Sequence, residues 1–202
     1  MKQTTEQPYI RHAQREEMER EKHRQRQKEK TTRRSFWTAL KSTISTLIVV
    51  AAVVVLISNL VFPVLRIYGT SMSSTLNEGD IVVSVKGSNF RTGDIIAFYY
   101  NNKLLIKRVI GNSGDWIDID KDGNVYVNNE LIDEPYLKEK AFGECNITLP
   151  YQVPESRIFV MGDNRSVSVD SRNTAVGCVA EEQIAGRLIL RVWPLQRIRL
   201  LL

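Results

Sequence analysis

Three short segments hold the side chains that could do chemistry. The first is Tyr68-Gly69-Thr70-Ser71-Met72-Ser73-Ser74-Thr75-Leu76, in which a serine follows Gly-Thr after a short extended stretch. On composition alone the simpler reading is a polar, Ser-rich turn. The second is Leu104-Leu105-Ile106-Lys107-Arg108-Val109-Ile110-Gly111. In a strand, Leu105, Lys107 and Val109 share one face. A lysine among apolar neighbours loses hydration, its pKa falls, and it becomes a usable general base. A surface Lys–Arg pair on a half-exposed strand has the same local sequence. The third, Met161 to Arg172, sets Asp163, Arg165, Asp170 and Arg172 among small residues. That composition suits a buttress of ion pairs and hydrogen bonds, and a solvated loop equally.

The histidines narrow the options. His12 and His23 both lie near the N-terminus and none follows. Ser–His–Asp and Cys–His arrangements are therefore excluded from the rest of the chain, as are histidine-rich metal sites. Cys145 and Cys178 form no CxxC pair and have no nearby histidine, which argues against zinc. One disulfide stays open for a domain outside the cell, and two unpaired small apolar side chains is the plainer reading. No metal or cofactor is expected. Any nucleophilic chemistry must use a lysine or a carboxylate as base.

The elements around these segments read as β. Runs at 80–86, 94–100, 103–111, 115–120, 124–129, 157–163 and 185–193 are short, rich in Val, Ile, Tyr and Trp, and separated by turn signals. Asn101-Asn102 and Lys121-Asp122-Gly123 suit hairpin turns. Residues 134–156, with Pro135, Pro150 and Pro154, read as a loop or small excursion. The fold class expected is mainly β: an antiparallel, partly closed, barrel-like domain.

Ahead of it, Ser42 to Phe62 carries no charge and has the length a bilayer asks of a helix. Pro63 suits its end. A buried core helix rarely runs so far without a charge. A cleaved signal has an apolar region of about 7–15 residues ending in small side chains. The run therefore reads as a retained transmembrane anchor. Residues 1–34 contain eleven Lys or Arg against six Glu, which accounts for the whole net charge of +5. The remainder balances, so no basic face for nucleic acid is expected. Arg33, Arg34 and Lys41 flank the run on its N-terminal side and only Arg66 lies close beyond it. Basic flanks stay inside, which predicts a cytoplasmic tail (1–35), an anchor helix (36–63) and a β-rich extracytoplasmic domain (64–202). The low-complexity tail reads as partly helical or disordered and suits contact with anionic headgroups.

Together and in this order, the segments resemble those of the type I signal peptidases. Ser71 to Leu76 matches the form Ser-Met-x-Pro-Thr-Leu, with Ser74 at the usual proline position. Lys107 to Asp115 matches Lys-Arg-Val-x-Gly-x-x-Gly-Asp. Gly162 to Arg172 matches Gly-Asp-Asn-Arg-x-x-Ser-x-Asp-Ser-Arg, and Gly177 to Arg187 matches a closing Gly-x-Val-x-x-x-x-Ile-x-Gly-Arg. The resemblance covers about residues 36–195, and the short 134–156 region is similar to the compact Gram-positive enzymes. It implies a membrane-bound serine endopeptidase with Ser71 as nucleophile and Lys107 as base. Ser168 would orient Lys107, and Asp170 and Arg172 would form a structural pair behind it. The Ser71 N–H would supply part of an oxyanion hole; Gly69 stands where some relatives have a serine donor. Secreted preproteins with cleavable signal peptides would be cut after small residues. Membrane lipids and the translocation machinery would be neighbours. Two alternatives are an inactive membrane-anchored binding module and a Ser–Lys protease for a dedicated set such as pilins. The self-cleaving repressors share the fold but are soluble and bind DNA, which the span and tail argue against. Loss of the proline puts the rigidity of the turn after Ser71 in question.

Overall fold

The computed structural model describes residues 37–58, 61–87 and 89–201, and four positions of the tail, Met18, Arg20, Lys22 and Arg24, all helical. The expectation for the rest of the tail, and residues 36, 59 and 60 of the expected span, fall outside the described residues. The chain divides into two compact units, residues 1–56 and 57–202.

Helix α1 (Trp37–Ser58) has 22 residues and is long and apolar enough to cross a membrane. Leu47, Ile48, Val54 and Leu56 are all more than half exposed. The hydroxyls of Thr43 and Thr46 donate to the carbonyls of Ala39 and Ser42, each at 3.0 Å. These polar groups are thus satisfied within the helix.

The second unit is built from two antiparallel sheets. The larger takes in β1 (Val64–Arg66), β2 (Ile81–Val85), β3 (Ile95–Tyr100), β4 (Lys103–Gly111), β9 (Arg157–Met161), β10 (Val179–Ala180), β11 (Ile184–Trp193) and β12 (Arg199–Leu200). Its order is β1-β2-β11-β3-β4-β9-β10, with β12 also on β11. The smaller takes in β5 (Trp116–Ile119), β6 (Val125–Val127), β7 (Glu130–Leu131) and β8 (Tyr151–Gln152), in the order β7-β6-β5-β8. Hydrogen bonding along the larger sheet runs from β1 to β10 without returning on itself.

Local chemistry explains the hairpins. Asn101 and Asn102, at φ 43° and 60°, turn β3 into β4, and Asn128 and Asn129, at 53° and 69°, turn β6 into β7. Two successive left-handed residues match the twist of the flanking strands, and asparagine tolerates that conformation. The expected strand at 124–129 accordingly stops at Val127. Residues 134–156, expected to be irregular, contain β8, which pairs with β5. Three apolar clusters form the core. The first joins Ile67, Met72 and Leu76 to Val82, Ile95 and Leu188, and so ties the segment around Ser71 to the sheet.

Candidate active site

Residues 67–80 form a loop closed at its base: the Ile67 N–H donates to Asp80 O at 2.9 Å, and Gly79 N–H to Ile67 O at 3.0 Å. Gly69 and Gly79, at φ +82° and +89°, bend the chain at either end in a conformation that L side chains rarely adopt. Between them the chain winds through a turn, with Ser73 N–H bonded to Thr70 O, and Thr75 and Leu76 N–H to Met72 O. Met72 and Leu76 are almost fully buried and anchor this turn by its apolar side. Ser71 is left half-buried.

The turn is gripped from outside. Asn164 donates its backbone N–H to Ser71 O at 2.9 Å and its side-chain amide to Thr70 O and Ser73 Oγ. The Thr75 hydroxyl donates to Asp163 at 2.5 Å, and Arg108 clasps the same carboxylate at 2.9 and 2.6 Å. Rigidity that a proline at position 74 would supply locally is supplied here by tertiary hydrogen bonds. The Arg108 guanidinium stacks on Tyr136, 3.7 Å from the ring centre.

Lys107 lies on β4 opposite Ile96. It is 4% exposed, so the surface-pair reading of this lysine fails. Both faces of β4 are covered from Lys107 to Gly111, where alternation would leave one of them to solvent. Burial pulls the lysine pKa down from 10.5 to about 8, Asp170 and Asp163 oppose that fall, and Arg172 assists it. A fall of this size corresponds to about 3 kcal/mol between the charged and neutral forms. The penalty on the charged form is complete below the folded pKa and is relieved as pH rises from about 8 towards the unfolded value.

Ser71 and Lys107 line the same groove, of about 460 Å³, walled by Leu65, Ile67 and Gly69 on one side and Leu104 and Ile106 on the other. No hydrogen bond joins the two side chains among the described residues. β1 and β4 flank the groove and run in the same direction, because four successive antiparallel pairings separate them.

The third segment is a buried network. Asp170 and Arg172 form a two-pronged ion pair at 2.8 and 2.9 Å, with both side chains wholly buried. Asp170 also accepts the Gly162 N–H at 2.9 Å. Arg172 donates to the carbonyls of Phe142, Arg165 and Ser168. Arg165 pairs with Glu134, buried in turn. Ser168 is buried and its hydroxyl has no hydrogen-bond partner among the described residues, Lys107 included. Gly162 is the point where Ser168 and the Ser71 carbonyl converge: a Cβ there would meet Ser168 Cβ and Ser71 O, each at 2.6 Å.

Among the described residues no group of His, Cys, Asp and Glu could hold a metal. Cys145 and Cys178 are free, and burial pushes the Cys178 thiol up to about 11. Sequence reasoning missed Asn164 and Gly162 as parts of the site, although both lie within the motif quoted for the loop.

Comparison with known proteins makes this chain a peptidase, a hydrolase of peptide bonds. It belongs to the family described as signal peptidase, peptidase S26, which it matches over residues 40–193. It is 34% identical to signal peptidase I of Bacillus amyloliquefaciens over 184 residues, 86% of this chain and 97% of that protein. It is 35% identical to signal peptidase I S of Bacillus subtilis over 165 residues, 75% of this chain and 89% of that protein. With signal peptidase IB of Staphylococcus aureus it shares 36% identity over 148 residues, 63% of this chain and 76% of that protein.

Proposed function

We propose that this chain is a membrane-bound endopeptidase that removes signal peptides from exported preproteins after small residues, using Ser71 as nucleophile and Lys107 as general base. The observation that carries the proposal is a lysine buried, lowered to about 8, and lining one groove with a serine on a braced turn. Neutral Lys107 takes the Ser71 proton as Oγ attacks the scissile carbonyl. It then returns that proton to the departing amine, leaving an acyl ester on Ser71. Water repeats the sequence to release the acid. The Ser71 N–H, unpartnered among the described residues, is available to the developing oxyanion. Asp170 and Arg172 brace the loop that brings Ser168 behind the lysine. The substrate lies extended between β1 and β4 as the missing stave of a barrel-like sheet. Because both walls run the same way, its strand is parallel to both or antiparallel to both. Secreted preproteins, lipids and the translocation machinery are the partners, and α1 crosses the membrane with the tail inside.

Cleavage of a preprotein by the full chain tests the chemistry. With Lys107 as base, kcat/KM should rise about tenfold per pH unit below about 8 and level off above it, because only the neutral amine accepts a proton. A profile flat from about pH 6 to 9 would remove Lys107 from that role.

Topology is tested by labelling thiols from outside intact cells with an impermeant reagent. The partly exposed Cys145 should react and serve as an internal control, while buried Cys178 should not. Arg20→Cys should add no label until the membrane is opened; outside labelling at position 20 would reverse the orientation.

A further inference from the structure

We propose that Arg191 is a positioning residue for the nucleophile turn, acting through the carbonyl of Thr75; the proposal rests on Ser71 being the nucleophile. Arg191 sits on β11 between two irregularities of register, one at Leu188/Leu190 and one at Arg191/Trp193. Such bulges re-aim side chains. The side chain is buried, and its Nη1 donates to Thr75 O at 2.9 Å and to Asp80 at 3.2 Å. Its Nε donates to Arg197 O at 2.8 Å. The same oxygen of Asp80 accepts the Asn77 N–H at 3.0 Å. One guanidinium thus ties the far end of the turn to the base of its loop and to the C-terminal segment.

Asn164 fixes the near end of the turn, at Thr70 and Ser71. At the other end Asp163 and Arg108 hold the Thr75 side chain, and Arg191 alone among these holds its carbonyl. The loop between them bends at Gly69 and Gly79, and nothing lies within 4 Å of a Cβ placed at either. Without Arg191 the Thr75 carbonyl and the Asp80 carboxylate lose a buried partner, and the backbone at that end of the turn is held only through the Thr75 side chain and the buried Leu76. Arg191 does not line the groove, so substrate affinity and the titration of Lys107 do not depend on it directly.

The test uses Arg191→Gln, Arg191→Lys and Ser71→Ala in the full chain in detergent micelles. In Arg191→Gln, amide exchange at Ser73, Thr75 and Leu76 should quicken by about tenfold or more, while the amides of β3 and β4 change little. Its kcat should fall about 100-fold, with KM within about threefold and the alkaline limb at the same pH. Arg191→Lys, able to reach the carbonyl and the carboxylate, should recover at least about a tenth of wild-type kcat. Unchanged exchange in the turn overturns the proposal. So does exchange that quickens equally throughout the sheet, or a lysine variant no better than glutamine. If Arg191→Gln does not fold, Arg191→Lys decides: lowered kcat with unaltered KM supports the proposal, and raised KM with intact kcat overturns it. Undiminished activity in Ser71→Ala removes the nucleophile reading separately, and the exchange result still says whether Arg191 holds the turn.

Discussion

Ser71→Ala and Lys107→Ala are each expected to lower kcat/KM for preprotein cleavage by about 10⁴-fold or more, with the double variant no worse than either single one. The reason is cooperative: a serine whose proton has no acceptor is a poor nucleophile, and a base with nothing to deprotonate contributes nothing. Both variants should stay folded. Ser71 is half-buried on a turn held by backbone and neighbouring side chains. Removing the Lys107 amine relieves the penalty of burying it charged at neutral pH, so Lys107→Ala loses packing but gains on charge. Lys107→Arg should be as inactive as alanine, because a guanidinium stays protonated at every working pH. It should also melt lower, since that permanent charge would sit where Lys107 is now 4% exposed. More than a few per cent of activity in either alanine variant would move the chemistry elsewhere.

Asp170→Ala is expected to cost about 3–5 kcal/mol of stability, because it strands the buried Arg172 guanidinium and the Gly162 N–H together. For a domain of this size that is a fall in Tm of roughly 10 °C or more. Activity should fall with it, since Gly162 abuts both the Ser71 carbonyl and Ser168. Ser168→Ala makes the contrast. Its hydroxyl has no hydrogen-bond partner to lose among the described residues, so Tm should hold within a degree or two; kcat should still fall, because the proposed mechanism needs that hydroxyl to turn towards Lys107 during catalysis. Melting temperature measured beside cleavage rate separates the two effects. An Asp170→Ala protein unchanged in both would make the loop a passive feature. A fully active Ser168→Ala would mean that something else orients Lys107.

Much of this candidate site was legible in the sequence because it is local. Ser71, Lys107 and the loop from Gly162 to Arg172 each stand in a short motif, and the Asn101–Asn102 turn fixes the hairpin that carries Lys107. What was not legible depends on long separations. Alternation along β4 describes one strand and is silent about the loop that covers its second face, so burial of Lys107 could be entertained but not decided. The partners of Asn164 lie about ninety residues earlier in the chain, and Thr75 lies 116 positions before Arg191. Nothing in composition connects such pairs. β8, β10 and β12, at two residues each, are too short for any period to show. They exist because a neighbouring strand offers them hydrogen bonds. Partial closure of a barrel was expected from short runs between turn signals, a pattern that fixes strands but not closure, and the larger sheet does not return on itself.

The gap between β1 and β4 has a second consequence. Among the described residues β1 pairs only with β2, and the 103–107 half of β4 only with β3, so each has an edge without a ladder partner, and both line the groove. Such edges, open to solvent, recruit strands from other molecules and seed aggregates. Here the two edges face each other across a slot. An intruding chain must enter as a single extended segment, and a second folded sheet cannot dock edge to edge. On the proposed reading, the slot that would admit one extended peptide is also too narrow for a second sheet to pair along either of these two edges.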